Sequence, residues 1–334
     1  MNCQGCNFMP YSVSQENLEN MGRYYLPGGN NLRWPSVFVL PDWLDAWWQV
    51  FGAGYEPLVV VVKEDEEVIG IAPLKLKDGV ASFIGDNSVC DYLDFITAPG
   101  KEDAFARALL DYLTAHEVKS LVMETLRPES VGGHNFVEEG KRRGAPAACS
   151  QIEVSFEMEL PTSWETYLAS LESKQRRDVE RKMRQLDKVA EVRFLVLRDS
   201  EVGEDELAVF FQMMTESRHD KALFMTVEMR SFFQKIAAAM SSYGLLRLAF
   251  LDVGVARVAA ILYFEHNDRI YLYNSGYMPQ YAEMNVGLVS KLYCIKQAIE
   301  ERKKGFDFLK GSEVYKFRLG GREAKLSRCV IDLQ

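Results

Sequence analysis

Apolar and polar positions alternate along this chain in short runs, and twice those runs fall in the same order. "PLVVVVK" (57–63) predicts a strand, "EDEE" a polar turn, and "VIGIAPLKLK" (68–77) a returning strand. "VASFIG" and "DYLDFI" follow, then a helix over about 101–116, the strand "SLVMETL", and a helix near 131–143. Farther on, "LLRLAFL" (245–251), the turn "DVG", "VARVAAILYFE" (255–265), "NDR" and "IYLYNSG" (270–276) form a second meander. A helix over about 285–303 and the strand "FDFLK" complete it. The stretches match in order and nearly in length but not in residues, so a duplicated α/β fold is the simplest account.

Between the two stretches, Pro161 or Thr162 can start a helix reaching about Lys188, followed by the strand "EVRFLVL". Two more helices fit at 204–220 and 227–242. No Gly/Ser linker separates the halves, and the expected domains are 1–160 and 161–334. Pro41 opens a helix, "PDWLDAWWQVFG" (41–52), whose Trp43, Trp47 and Phe51 share one face. A core-facing helix explains that face more simply than an aromatic platform for sugars or bases.

Composition narrows the function classes. The chain has 334 residues, 48% hydrophobic and 26% charged, with a net charge of −9. It is ordinary for a globular protein and argues against a chain-wide electrostatic nucleic-acid binder. An anionic ligand must therefore meet a local basic cluster. No apolar run approaches the ~20 residues of a membrane helix, and the N-terminus lacks a secretory pattern. A cytoplasmic location is expected. Six cysteines, at 3, 6, 90, 149, 294 and 329, form no disulfide framework. Cys3 and Cys6 make a lone C-x-x-C without the further ligands of a zinc site, and no metal is expected.

Four segments could carry chemistry. "YLYNSGYMPQYAEMNVGLV" (271–289) is a strand, loop and helix start, where free amides can hold an anion, but it has only two glycines. "FDFLKGSEVYKFRLGG" (306–321) ends a strand at Lys310 and places Glu313, Tyr315 and Lys316 just beyond it, where α/β ligand crevices form. Acyl transfer to an amine needs a base, for which Glu313 is suited, and an acid, for which Tyr315 is suited. Lys316 could bind an anion or stabilise the tetrahedral oxyanion. In "SKQRRDVERKMRQLDK" (173–188), Arg177 and Arg181 are candidates for phosphate contacts, against the plainer reading of a solvated helix. "TESRHDKALF" (215–224) adds Arg218 and His219 at a helix end.

Taken together, "LPDWLDAWWQVFG", "IAPLKLKDG", "DYLDFI", "LESKQRRDVERKMRQL", "IYLYNSGYMPQYAEMNVGLV" and "FDFLKGSEVYKFRLG" resemble the GNAT-like acetyltransferases of bacterial cellulose and exopolysaccharide loci, which are related to Fem-type peptidyltransferases. The resemblance implies an α/β (α+β) fold of two tandem GNAT-like domains, each a mixed, mostly antiparallel sheet flanked by helices. It also implies an acyl-CoA donor, such as acetyl-CoA, held by Asn274, Ser275 and Gly276 at the strand end. Gln280 in the loop and Asn285, Val286 and Gly287 at the helix start would complete that site, with Asn285 as N-cap. The usual loop, an Arg or Gln followed by closely spaced glycines, is absent here.

Three functions follow as expectations. The first is an N-acyltransferase moving an acyl group from acyl-CoA to an amine, on an amino sugar or a polysaccharide or cell-envelope precursor. The amine would attack the thioester directly, with no covalent intermediate, and the protein could associate peripherally with envelope machinery. The second is a Fem-like transferase using aminoacyl-tRNA, the one nucleic acid partner considered. The third is a non-catalytic scaffold on the duplicated fold. Only the second half is expected to bind a cofactor.

Overall fold

The computed structural model describes residues 11–25 and 31–334, so Cys3 and Cys6 lie outside the described residues. The chain forms two compact units. The first is 1–153 together with 325–334, and the second is 154–324. The expected break between 160 and 161 and an undivided C-terminal half both differ from this division. The reason is a strand pairing: the last strand, described below, returns to the first unit.

In the first unit the elements are β1 (Tyr11–Glu16), α1 (Pro41–Phe51), β2 (Glu56–Glu64), β3 (Glu67–Lys77), β4 (Val80–Phe83), β5 (Ile96–Thr97), α2 (Glu102–Ala115), β6 (Ser120–Leu126) and α3 (Val137–Arg142). β7 (Ala147–Glu159) runs from the first unit into the second. The second unit holds α4 (Trp164–Ser170), α5 (Ser173–Asp187), β8 (Val192–Arg198), α6 (Glu204–Ser217), α7 (His219–Phe224), α8 (Val227–Ser242), β9 (Leu246–Val253), β10 (Ala256–His266), β11 (Arg269–Tyr277), α9 (Val286–Glu300), β12 (Gly305–Lys310) and α10 (Val314–Arg318). β13 (Arg322–Asp332) closes the chain and pairs antiparallel with β6.

Each unit repeats one plan. Antiparallel strands β1–β2–β3–β4 lead through α2 to β6, which lies parallel to β4. In the second unit, β8–β9–β10–β11 lead through α9 to β12, parallel to β11. The strand after each crossover helix carries a non-glycine residue at positive φ, Thr125 (φ 56) and Leu309 (φ 62). Such conformations are disfavoured for residues with a Cβ and persist where surrounding structure enforces them. Their recurrence at equivalent strands is independent support for a duplicated fold.

Continuous buried runs along β9, β10, the first half of β11 and β12 supply the second unit's core. Ile261, Tyr263, Leu272 and Phe306 pack with Leu292, Ile295 and Ile299 of α9 and Val179 of α5. Complete burial of such side chains contributes roughly 1.5–3 kcal/mol each. Trp43 and Trp47 of α1 are buried, as a core-facing helix requires.

Several boundaries differ from the sequence pattern. The expected helix to Lys188 is two helices, broken where Leu171 and Glu172 become extended. Ser163 caps the first of them by accepting the Thr166 amide at 3.1 Å. The helix expected at 204–220 breaks at Arg218 (φ −157, ψ 140), and α7 starts anew. Of "DYLDFI", only Ile96 enters a strand. Cys149 and Cys329, 180 positions apart, are joined by a disulfide, although the cysteine spacing shows no framework. Proximity came from folding, which spacing cannot reveal.

Candidate functional site

β11 and β12 pair only at Arg269–Tyr271 with Gly305–Asp307. Beyond these residues each strand continues without a ladder to the other, and a cleft of about 280 Å³ opens at their C-terminal ends. Its wall combines Ser275 and Tyr277 of β11 with Asn285, Gly287 and Lys291 at the start of α9. Arg218 stands just before α7 and Lys221 within it, and Glu313 and Tyr315 come from the start of α10 after β12. All belong to the second unit.

The turn after β12 is built by a bulge. Register shifts between Asp307 and Leu309, and the buried Asp307 carboxylate accepts the Leu309 amide at 2.8 Å. Gly311 follows at φ +115, where an added Cβ would sit 2.4 Å from a Glu313 carboxylate oxygen. That conformation belongs to glycine. Lys316 is 2% exposed and donates to the Leu309 carbonyl at 3.0 Å, the Lys310 carbonyl and the Glu313 carboxylate at 3.0 Å. Three partners occupy its three protons, so Lys316 locks the turn and has none left for the oxyanion expected of it.

Glu313 and Tyr315 differ in protonation state. Burial pushes the Glu313 carboxyl up, but Lys316, by charge and hydrogen bond, and Arg218 outweigh it and hold it below its usual range. Burial raises the Tyr315 phenol, and the Glu313 charge raises it further. Glu313 is therefore ionised and Tyr315 protonated at neutral pH.

Two lysines flank Ser275. Lys291 donates to Ser275 Oγ at 3.0 Å and to the Gly287 carbonyl at 2.8 Å, above the Tyr315 ring at 5.0 Å. Burial, then the charge of Lys221, lowers its pKa from 10.5 to about 7. Lys221 donates to Asn274 Oδ1 at 2.9 Å and to the Ser275 carbonyl. Burial and the neighbouring Arg218 lower it to about 8.

The expected cofactor residues separate in space. Asn285 sits in the left-handed region (φ 58, ψ 28), tolerated by asparagine, and its side chain makes no capping bond to α9. Instead its amide donates to the Glu283 carbonyl at 3.2 Å. The first intrahelical bonds run from Leu288 and Val289 to the Asn285 carbonyl, each 2.9 Å, so the Val286 and Gly287 amides begin the helix before them. The Val286 side chain is in the core. Gly276 packs against α6: an added Cβ would lie 2.3 Å from the Met214 amide nitrogen. Gln280 is exposed and off the cleft wall.

Of the expected anion contacts, only Arg218 reaches the cleft, where it also pairs with Asp220 at 2.9 and 2.7 Å. His219 is exposed and off the wall. Arg177 and Arg181 lie exposed on α5, away from the cleft wall. Arg181 pairs with Asp178 at 2.6 Å, and Arg177 Nε donates to the Ser173 carbonyl at 3.1 Å. That is the solvated-helix arrangement. Lys221 and Lys291 had no place among the expected site residues. A lysine on a helix reads as solvent-facing, whereas Lys291 lies on the buried side of α9 and reaches Ser275 of β11.

Residues 173–317 match the acetyltransferase (GNAT) domain model. This stretch runs from the start of α5 into α10 and contains the whole cleft. Among solved structures, FemX superimposes with a TM-score of 0.63 at 13% identity, covering 95% of this chain and 96% of that one. The C-terminal domain of a protein designated a lysylphosphatidylglycerol synthetase from Agrobacterium fabrum gives 0.55 at 8% identity, covering 86% of each. A tandem GNAT protein from the clavulanic acid biosynthesis pathway gives 0.50 at 12%, covering 96% and 98%. These likenesses establish the fold: a mixed α/β, mostly antiparallel GNAT-like architecture with tandem-GNAT neighbours. No curated protein sequence matches the chain. No helix among the described residues is long and apolar enough to cross a membrane.

Proposed function

We propose that the protein is an N-acyltransferase that moves an acyl group from acyl-CoA to an amine in the cleft of the second unit. The observation carrying this reading is that cleft. At the ends of two splayed parallel strands it joins a helix N-terminus, the cationic side chains of Arg218 and Lys221, an ionised carboxylate and a protonated phenol. The α9 amides with Arg218 and Lys221 suit the donor's phosphates. Glu313 suits the proton that an ammonium acceptor sheds before attack, and Tyr315 suits a hydrogen bond to the departing sulfur. The proposed acceptor is an amino sugar or polysaccharide precursor, on the resemblance of the segments quoted above. Incubation with acetyl-CoA and a panel of amino sugars should release free thiol in proportion to N-acetylated product. No release with any amine acceptor would remove this reading.

A second reading is favoured by the charge of the cleft. Arg218, Lys221 and Lys291 line it together, which also suits a polyanionic donor such as aminoacyl-tRNA. Binding of charged tRNA that weakens steeply with salt, with no acetyl-CoA turnover, would select it.

A further inference from the structure

Lys291 is a charged group that the acyl-CoA reading leaves without a role. It lies on the cleft wall and is only 8% exposed, yet both its acceptors are neutral oxygens, Ser275 Oγ at 3.0 Å and the Gly287 carbonyl at 2.8 Å. No ion pair to it exists among the described residues. Lys316, also buried, is by contrast matched by the Glu313 carboxylate at 3.0 Å. A buried ammonium is costly unless an anion neutralises it, and at Lys291 the protein supplies none. Burial without a counter-ion is what brings its pKa down to about 7. The donors left over are specific. Two acceptors take two of the three ammonium protons, so one N–H stays free, and Ser275, which accepts from Lys291, keeps its own O–H to donate. One cationic and one neutral donor side by side match the two oxygens and single charge of a carboxylate. Their place in the cleft is defined as well. Lys291 Nζ lies 5.0 Å above the ring of Tyr315, and Glu313, suited to an ammonium, is on the same wall.

We propose that Lys291 and Ser275 form a carboxylate-binding subsite, so that the acceptor is a zwitterion with its carboxylate on the carbon next to the amine, an α-amino acid or a 2-amino sugar acid. The proposal rests on the reading of this cleft as the acyl-transfer site. The charge order along the wall orients such a molecule: Glu313 meets its ammonium end, and Lys291 with the Ser275 hydroxyl meets its carboxylate end. Binding of the carboxylate supplies the counter-ion that the fold withholds, and it favours the ammonium form of Lys291. A neutral amine leaves that charge unmatched, which is the source of discrimination. Lys291 acts here as a donor to substrate and takes no proton in the chemistry, which remains direct attack of the amine on the thioester.

The test compares matched acceptors on the full-length protein with acetyl-CoA. D-Glucosaminic acid carries a carboxylate beside its amine and D-glucosamine does not; L-alanine and L-alaninamide form a second pair. Within a pair, kcat/KM should be at least about 10-fold higher for the carboxylate member, mainly through KM, and Lys291→Met should bring that ratio to about 1. Because the ratio is taken within one protein, a smaller folded fraction of the variant does not imitate its loss, and the wild-type comparison needs no variant at all. Equal or better use of the neutral members by the wild type overturns the proposal, as does an unchanged ratio in Lys291→Met. A preference for succinyl-CoA over acetyl-CoA, with none between acceptors, puts the carboxylate on the donor and also overturns it. If no amine is acetylated, thermal protection decides. Protection by the carboxylate members alone, lost in Lys291→Met, supports the subsite and removes the transferase reading, whereas no such protection overturns the subsite too.

Discussion

The Lys316 Nζ lies 3.0 Å from the carbonyl oxygen of Leu309, the residue with left-handed backbone at the β12 bulge. The contact ties a strained position to the turn that presents Glu313 and Tyr315. Lys316→Met keeps the aliphatic stem and removes the donors, leaving the Leu309 and Lys310 carbonyls short of a partner. Unfolding free energy in urea should fall by about 1–3 kcal/mol. Wild-type stability in that variant would show that the lock contributes nothing.

The two glycines of the 271–289 segment, Gly276 in β11 and Gly287 in α9, should respond differently to alanine. At Gly276 the new Cβ meets backbone of α6 at 2.3 Å, which cannot yield, so stability should fall by about 1–3 kcal/mol. At Gly287 it meets the Tyr277 ring at 2.9 Å, and that ring lines the cleft. Gly287→Ala should leave melting nearly unchanged while donor KM rises roughly 10-fold, about 1.4 kcal/mol. Thermal melts and steady-state kinetics on both variants separate the two cases.

Lys291 should leave a signature in the pH dependence of stability. Its pKa is lowered from 10.5 to about 7 in the folded protein, so between those values the unfolded chain holds a proton that the native state lacks. Stability therefore rises with pH across that window, and the cost of burying the charge is complete below about 7. Relative to Lys291→Met, the wild type should gain up to about 1.4 kcal/mol per pH unit. Parallel curves for the two proteins from pH 7 to 9.5, measured by chemical denaturation, would contradict the assignment.

The disulfide gives a fourth expectation. Peptide mapping without reductant should recover Cys149 linked to Cys329, and reduction should destabilise the first unit by about 2–5 kcal/mol. Recovery of both as alkylatable thiols would remove the bond. Cys90 and Cys294 are buried and free, so neither should react until the protein unfolds.

The parts of this protein legible in the sequence are those set by short-range patterns. Short apolar runs bounded by turn residues mark β9 to β12, and the polar residues after Lys310 mark the turn that carries Glu313 and Tyr315. Arg218, Ser275, Asn285 and Gly287 also reach the same cleft. What pattern could not show was long-range packing. Gly276 resembles a ligand-facing glycine until α6 is placed against it, and Asn285 resembles a cap until its φ is positive. Arg177 and Arg181 resemble a basic site until their partners on α5 are visible. Lys291 was hidden for the opposite reason, because only the tertiary fold takes its amine out of water.

The central claim, that the cleft between the ends of β11 and β12 holds the acyl donor, is tested most directly by calorimetric titration of acetyl-CoA into wild type and Arg218→Glu. Arg218 is exposed on the cleft wall, so reversing its charge should spare the fold. The account predicts measurable binding to the wild type and affinity at least about 10-fold weaker in the variant. No binding to the wild type, or equal affinity in both proteins, would contradict it.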